Sequence, residues 1–289
     1  MKNIYRAALR IAVLAATVVA FTWYLSNHQQ LLRLLGRTPL HVITVLVLLY
    51  IVWFGALALT VHATLRLCRN PLALGEHLLL NAYSTLVNFF VPGQGGLAVR
   101  GLYLKKQHGL RLKNYVLASL VYYMFYAIVS ALMLLVTSRP WWQTALGLLL
   151  VGLGSHTVVR WYERRSMTRS DVLDLGPANL GFLLVATMIQ AVVQVAIYFC
   201  ELRSVSPHID LSQAVTYTGA ANFSLFVALT PGAIGIRESF LLFSQQLHHV
   251  ATASIVAASV IDRAAFLILL GLLSLLTLVF HAKRALKIG

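Results

Sequence analysis

Long apolar runs alternate along the chain with two stretches in which the apolar pattern is diluted and then broken. About 20 apolar residues cross the hydrocarbon core of a bilayer, and runs near that length lie at 5–25, 40–64, 114–137, 141–160, 180–203 and 251–281. The pattern predicts a transmembrane helix for each. Segments 76–106 and 211–248 behave differently. Each opens with an apolar half rich in Asn, Ser, Thr and Tyr, breaks at proline and glycine, and resumes as a short second half. The breaks match: Pro92-Gly93-Gln94-Gly95-Gly96 and Pro231-Gly232-Ala233-Ile234-Gly235 share the form Pro-Gly-x-x-Gly, and an arginine follows each, Arg100 and Arg237. Proline lacks the amide N–H that a helix needs, and glycine loosens the backbone. Broken backbone at membrane depth persists only where protein or a water-filled cavity satisfies its polar groups. Paired interruptions in two halves of a chain point to the binding site of a transporter.

Composition fixes the class. Of 289 residues, 59% are hydrophobic and 11% charged, with a mean hydropathy of +0.79; soluble domains carry about 25% charged residues. The fold expected is an all-α polytopic membrane protein, one transmembrane domain over 1–289 with six full spans and two re-entrant helical hairpins related as inverted repeats. Repeat one covers about 40–137 and repeat two about 180–281, with 161–179 as a cytoplasmic connector. Eight or nine full crossings is the arrangement that hydropathy alone leaves open beside it.

The 23 Lys and Arg against 8 Asp and Glu give a formal charge of +15. No polar domain is large enough to hold a nucleic-acid groove, so membrane topology and anionic headgroups account for the excess. With the N-terminus inside, Arg100, Lys105, Lys106, Arg111 and Lys113 fall in the cytoplasm, as do Arg160, Arg164, Arg165, Arg169 and the tail residues Lys283, Arg284 and Lys287. Arg33, Arg37, Arg139 and Arg203 stay on the far side. That asymmetry obeys the positive-inside rule only if both broken segments return to their own side. It places both termini in the cytoplasm and the chain in the cell (inner) membrane. Lys2, Arg6 and Arg10 before the first run resemble a signal sequence, but no small-x-small cleavage site follows, and the segment reads as a retained span. Cys68 and Cys200 stand alone, without metal or disulfide spacing.

Charges within a membrane cost a few kcal/mol each, so five of them draw the eye. Arg237 and Glu238 directly follow the second break. One reading has Arg237 holding a phosphate with Glu238 orienting it, helped by the dipole of a helix N-terminus; the other is an internal ion pair that locks the hairpin. Arg100 occupies the matching place after the first break, as a second phosphate ligand or as a solvated loop residue. Asp262 and Arg263 interrupt an apolar helix; neighbours on a helix point about 100° apart, so Arg263 would face the cavity while Asp262 meets another helix, or both would brace the bundle. Asn88 and Asn222 join the candidate headgroup contacts. Gln190 with Gln194 and Asn81 with Ser84 share helix faces, as a polar path or as interhelical hydrogen bonds. Tyr122, Tyr123 and Tyr126 read as core, and His248-His249 as interfacial. There is no nucleotide-binding glycine loop, metal cluster or nucleophile elbow. Hence no enzyme, cofactor or bound metal is expected.

Asn88…Pro92-Gly-Gln-Gly-Gly96-Leu-Ala-Val-Arg100 and Pro231-Gly-Ala-Ile-Gly235-Ile-Arg237-Glu238 resemble the two signatures of the lysylphosphatidylglycerol synthase transmembrane-region family, also called flippase-like domain proteins. The resemblance runs from the first span to Arg263. It implies a multi-span bundle with re-entrant helices that moves a lipid between leaflets: an aminoacylated phospholipid in some members, isoprenoid-linked glycolipids among the lipids of others. Pro92, Gly96 and Arg100 take the first motif, and Pro231, Gly232, Gly235, Arg237 and Glu238 the second, with Gly93 at the first tip. Two departures stand out. Leu97 replaces the acidic residue usual after the last glycine of the first motif, and Tyr122-Tyr123 stands where a Glu-Arg pair is common. The function expected is a lipid translocase without its own ATPase. Its partner would be a membrane lipid with an anionic or zwitterionic headgroup, made by a separate synthase or transferase. The alternative is a lipid-binding accessory membrane protein without transport activity.

Overall fold

The computed structural model describes residues 38–91, 95–135, 173–226 and 236–286. The expected spans at 5–25 and 141–160, most of the 161–179 connector, and Pro92, Gly93, Pro231, Gly232 and Gly235 lie outside the described residues. The described chain is helical without strands. In order it forms α1 (Leu40–Leu67), α2 (Leu74–Phe90), α3 (Gly95–His108), α4 (Leu112–Leu135), α5 (Pro177–Val205), α6 (Leu211–Phe226), α7 (Ile236–Phe243), α8 (Gln245–His248) and α9 (Thr252–Leu286). Among the described residues four helices are long and apolar enough to cross a membrane: α1, α4, α5 and α9. They coincide with the four expected spans that fall on described residues.

Local chemistry sets the ends. Pro39 precedes the first residue of α1, and Pro177 opens α5, where a missing N–H costs nothing. α1 stops at Arg69, which takes the left-handed conformation (φ 53°) while Asn70 N–H reaches Leu65 O at 3.1 Å and Arg69 N–H reaches Arg66 O at 3.0 Å. That is a Schellman ending built without glycine. The same corner fastens α1 to the start of α5. Asp174 N–H donates to Leu67 O at 2.8 Å, and the Asp174 carboxylate meets Arg69 at 3.5 Å. The two helices therefore run antiparallel, and their contact is the most extensive in the bundle.

Packing repeats between the halves. α2 lies on α9 as α6 lies on α4; α2 packs with α3 as α6 packs with α7; α3 meets α4 as α7 meets α9; α1 touches α4 and α9, and so does α5. Exchanging α1 with α5, α2 with α6, α3 with α7 and α4 with α9 leaves this pattern unchanged. Among these helices only the four-residue α8 has no counterpart.

α2 and α3 form an antiparallel pair whose open end is closed by Glu76, which accepts hydrogen bonds from Tyr103 Oη (2.5 Å) and pairs with His108 (2.8 Å). α6 and α7 pair likewise, and Gln213 at the start of α6 donates to His249 O at 3.4 Å. The first open end sits where α1 finishes and α5 begins; the second sits at the other end of α5. Exposed Arg69, Lys105, Lys106, Arg111 and Lys113 gather at the first end.

Glycine lets two crossings close. A Cβ on Gly96 would overlap Ser84 O and come within 2.7 Å of Asn88 Oδ1, and one on Gly219 would come within 2.7 Å of both Leu134 N and Ser130 O. Small residues bring helix backbones together in this way inside membranes. Exposed Leu48, Val52, Leu120, Val192 and Leu275 belong to the apolar outer surface that a bilayer would cover.

Candidate functional site

The helices enclose a central cavity of about 280 Å³. Every described helix except α8 contributes to its wall, including both helical pairs. Three arginines line it: Arg100 from α3, Arg237 from α7 and Arg263 from α9. Asn88, Tyr122, Gln190 and Asp262 are further polar lining residues. Pockets that bind small ligands hold roughly 300–1,000 Å³, and this space lies just under the lower end of that range.

The second half holds its charges in crossed pairs. Arg237 Nη1 donates to Asp262 Oδ2, and Arg263 donates through Nη2 and through Nε (3.2 Å) to Glu238 Oε1. The other Asp262 oxygen accepts from the Tyr50 hydroxyl of α1, which ties this lattice to the first half. Arg237 also stacks over the Tyr198 ring at 5.1 Å, and its Nε and Nη2 have no hydrogen-bond partner. Glu238 therefore orients Arg263, not its neighbour Arg237. The bracing alternative for Asp262 and the cavity placement of Arg263 both hold.

Glu201 is the residue that the sequence did not single out. It is 0% exposed near the end of α5, lies against Asp262, and makes no hydrogen bond of ordinary length. Its signal was present, because an acid inside a run from 180 to 205 costs as much as the charges that were noticed.

The first half is built otherwise. Arg100 is 9% exposed within α3, so it is no loop arginine and does not belong among the charges outside the bundle. No carboxylate pairs with it among the described residues, and its Nε has no partner. Its neighbours on the wall are tyrosines: Tyr115, Tyr122 and Tyr123. Tyr122 Oη donates to Gln190 Oε1 at 3.1 Å, and Tyr126 bonds Gln194 at 3.1–3.3 Å. Those glutamines thus make the interhelical bonds of one alternative while lining the path of the other.

Asn88 has a double duty. Its Oδ1 accepts from Gly96 N–H at 2.7 Å, satisfying one of the free N–H groups at the start of α3, and it borders the cavity. Asn222 is fully buried with both amide atoms unpartnered, and it is not part of the cavity wall. His248 is buried, bonding Leu241 O at 2.9 Å and accepting from Val250 N–H at 3.1 Å. It locks the α8 turn instead of facing an interface. Of the hairpin-tip residues, Gly96 is described, and its role is the close crossing with α2.

Across residues 7–274 the chain matches the family described as lysylphosphatidylglycerol synthase TM region. No curated protein and no solved structure gives a match.

Proposed function

Since this chain belongs to the lysylphosphatidylglycerol synthase TM-region family, we propose that it is a lipid translocase moving a phosphate-bearing lipid between leaflets. The observation that carries this is the single cavity framed by both helical pairs and lined by Arg100, Arg237 and Arg263. Three guanidiniums facing one space deep in an apolar bundle have a use when an anion arrives. The headgroup enters the cavity and its phosphate meets Arg100 and Arg237, while the tails stay in lipid. Asn88 and Gly96 hold the start of α3 in place beneath it. The reading assigns the chain no catalytic step.

The α2–α3 and α6–α7 pairs act as re-entrant hairpins from opposite faces, with α1, α4, α5 and α9 as four of six spans. Their open ends at opposite ends of α5, and the exchange symmetry of the packing, support inverted repeats. The cationic end carrying Arg69, Lys105 and Lys106 is then cytoplasmic, with both termini, in the inner membrane. Alternating access comes from rocking one repeat against the other about the α1–α5 contact.

Leaflet exchange of defined lipids in proteoliposomes tests this. Wild type accelerates exchange of one phosphate-bearing lipid, and Arg100→Gln lowers the rate by about tenfold or more, as expected when a charge-assisted contact is lost. Exchange equal to that of empty liposomes for every lipid, with lipid still bound, would give the chain an accessory role instead.

A further inference from the structure

Arg100 stands apart from the other two cavity arginines, which already hold carboxylates. Asp262 is engaged by Arg237 and Tyr50, and Glu238 by Arg263. Glu201 lies behind the wall and does not line the cavity. A ligand ammonium would therefore meet one uncompensated cation, Arg100, and no unengaged carboxylate among the described lining residues. Like charges in a low-dielectric space repel by several kcal/mol. Arg100 has the opposite need, since a buried cation without a counter-charge is costly until an anion reaches it.

The uncharged wall adds a second constraint. Thr60 Oγ1 donates to Leu57 O, Thr64 Oγ1 to Thr60 O and Ser119 Oγ to Tyr115 O, each at 2.8 Å. A hydroxyl has one proton to give, so these three side chains keep only acceptor lone pairs for whatever fills the space. A headgroup hydroxyl beside them meets acceptors.

We infer that the cavity selects a lipid whose headgroup carries a phosphate and free hydroxyls but no fixed positive charge: a polyol or sugar phosphate ester. The phosphate sits at Arg100 and the hydroxyls donate to the Thr60–Thr64 and Ser119 surface. This deepens the translocase reading and rests on it for the ligand being a membrane lipid.

Binding decides it without transport. The full chain in detergent micelles is titrated with phosphatidylglycerol, lysyl-phosphatidylglycerol, phosphatidylethanolamine and water-soluble glycerol 3-phosphate, read by native mass spectrometry. Phosphatidylglycerol should bind at least about tenfold tighter than the lysyl lipid, with phosphatidylethanolamine between them. Arg100→Gln should shrink that ratio below about threefold, and Arg100→Lys should keep most of it. Equal or tighter binding of the lysyl lipid by wild type overturns the inference, as does an unchanged ratio in Arg100→Gln. Glycerol 3-phosphate binding as tightly as phosphatidylglycerol would overturn the lipid source. If Arg100→Gln fails to fold, the wild-type ratio and Arg100→Lys decide alone. A phosphatidylglycerol preference without leaflet exchange of any lipid would sink the translocase reading and leave the headgroup assignment standing.

Discussion

The two halves of this bundle share a packing plan and differ in chemistry. Tyr122 and Asp262 each stand ten residues past the first residue of α4 and α9, helices that exchange under the packing correspondence. In the second half the position and its neighbour are Asp262-Arg263, cross-linked to Arg237 and Glu238. In the first half they are Tyr122-Tyr123, and Arg100, without a carboxylate partner among the described residues, lines the cavity beside them. A framework set by apolar packing and close glycine crossings tolerates this exchange, because neither feature depends on what the cavity side of the helix carries. The second half pairs its cavity arginines with carboxylates, though Arg237 keeps two N–H groups unpartnered. The first half leaves one for a ligand.

The largest expected effect breaks that contrast directly. Asp262→Ala strands Arg237 as a buried charge and removes the Tyr50 contact, which should cost about 3–5 kcal/mol. Thermal melting in detergent would show it, and Arg237→Met combined with Asp262→Leu should restore much of the loss. Arg100→Gln should melt at or above wild type, because no carboxylate loses a partner. A comparable drop there would mean that Arg100 braces the fold as its counterparts do. Next, Gly219→Ala pushes α6 off the α4 backbone and Gly96→Ala pushes α3 off α2; each should lose about 1–3 kcal/mol by overpacking. Unequal losses would show which half relies more on its crossing. Asn88→Ala should cost about 1 kcal/mol through the lost cap of α3, again by melting.

The smallest effect is a pH one and lies at the start of α6. Asp210 accepts from Gln213 N–H and the Ser212 hydroxyl, both at 2.8 Å, while Gln213 Oε1 takes Asp210 N–H, a reciprocal cap. These hydrogen bonds hold the Asp210 carboxyl below its ordinary pKa. A depressed carboxyl stabilises above its unfolded pKa and loses that contribution as pH falls through the folded one. Protection factors for amide exchange at 211–214, referred to the intrinsic rate at each pH, should therefore fall on acidification through that window. The first residues of α2, preceded by Ala73 without a side-chain cap, should show no such pH step. An Asp210→Asn variant should flatten the response.

Much of the framework was legible because bilayer thickness imposes a length that residue counts reveal. The spans at 40–64, 114–137, 180–203 and 251–281 became helices within a few residues of those bounds. The arginines after each Pro-Gly-x-x-Gly, Arg100 and Arg237, both line the cavity. Partner choice was harder. Arg237 and Glu238 are adjacent in sequence, and the 100° helical step already forbids them from pairing with each other. With neighbours excluded, only the crossed pairs Arg237–Asp262 and Glu238–Arg263 remain, which the reading of Glu238 as the group that orients Arg237 passed over. Asn222 had the right composition and the wrong direction, because a polar stripe on one helix does not say which neighbour will bury it. Tyr50 was invisible for a related reason: a tyrosine in an apolar run looks like core until its hydroxyl finds Asp262.

The separations of these contacts along the chain carry a consequence for biosynthesis. Arg237 and Glu238 each pair with a residue 25 positions later, whereas Tyr50 reaches Asp262 across 212. At the usual 5–20 residues per second of translation, the costly charges wait about 1 to 5 s for their counterions. The lattice can thus assemble as the last described helix leaves the ribosome, while Tyr50, made long before, closes onto it and joins the earliest described helix to the newest.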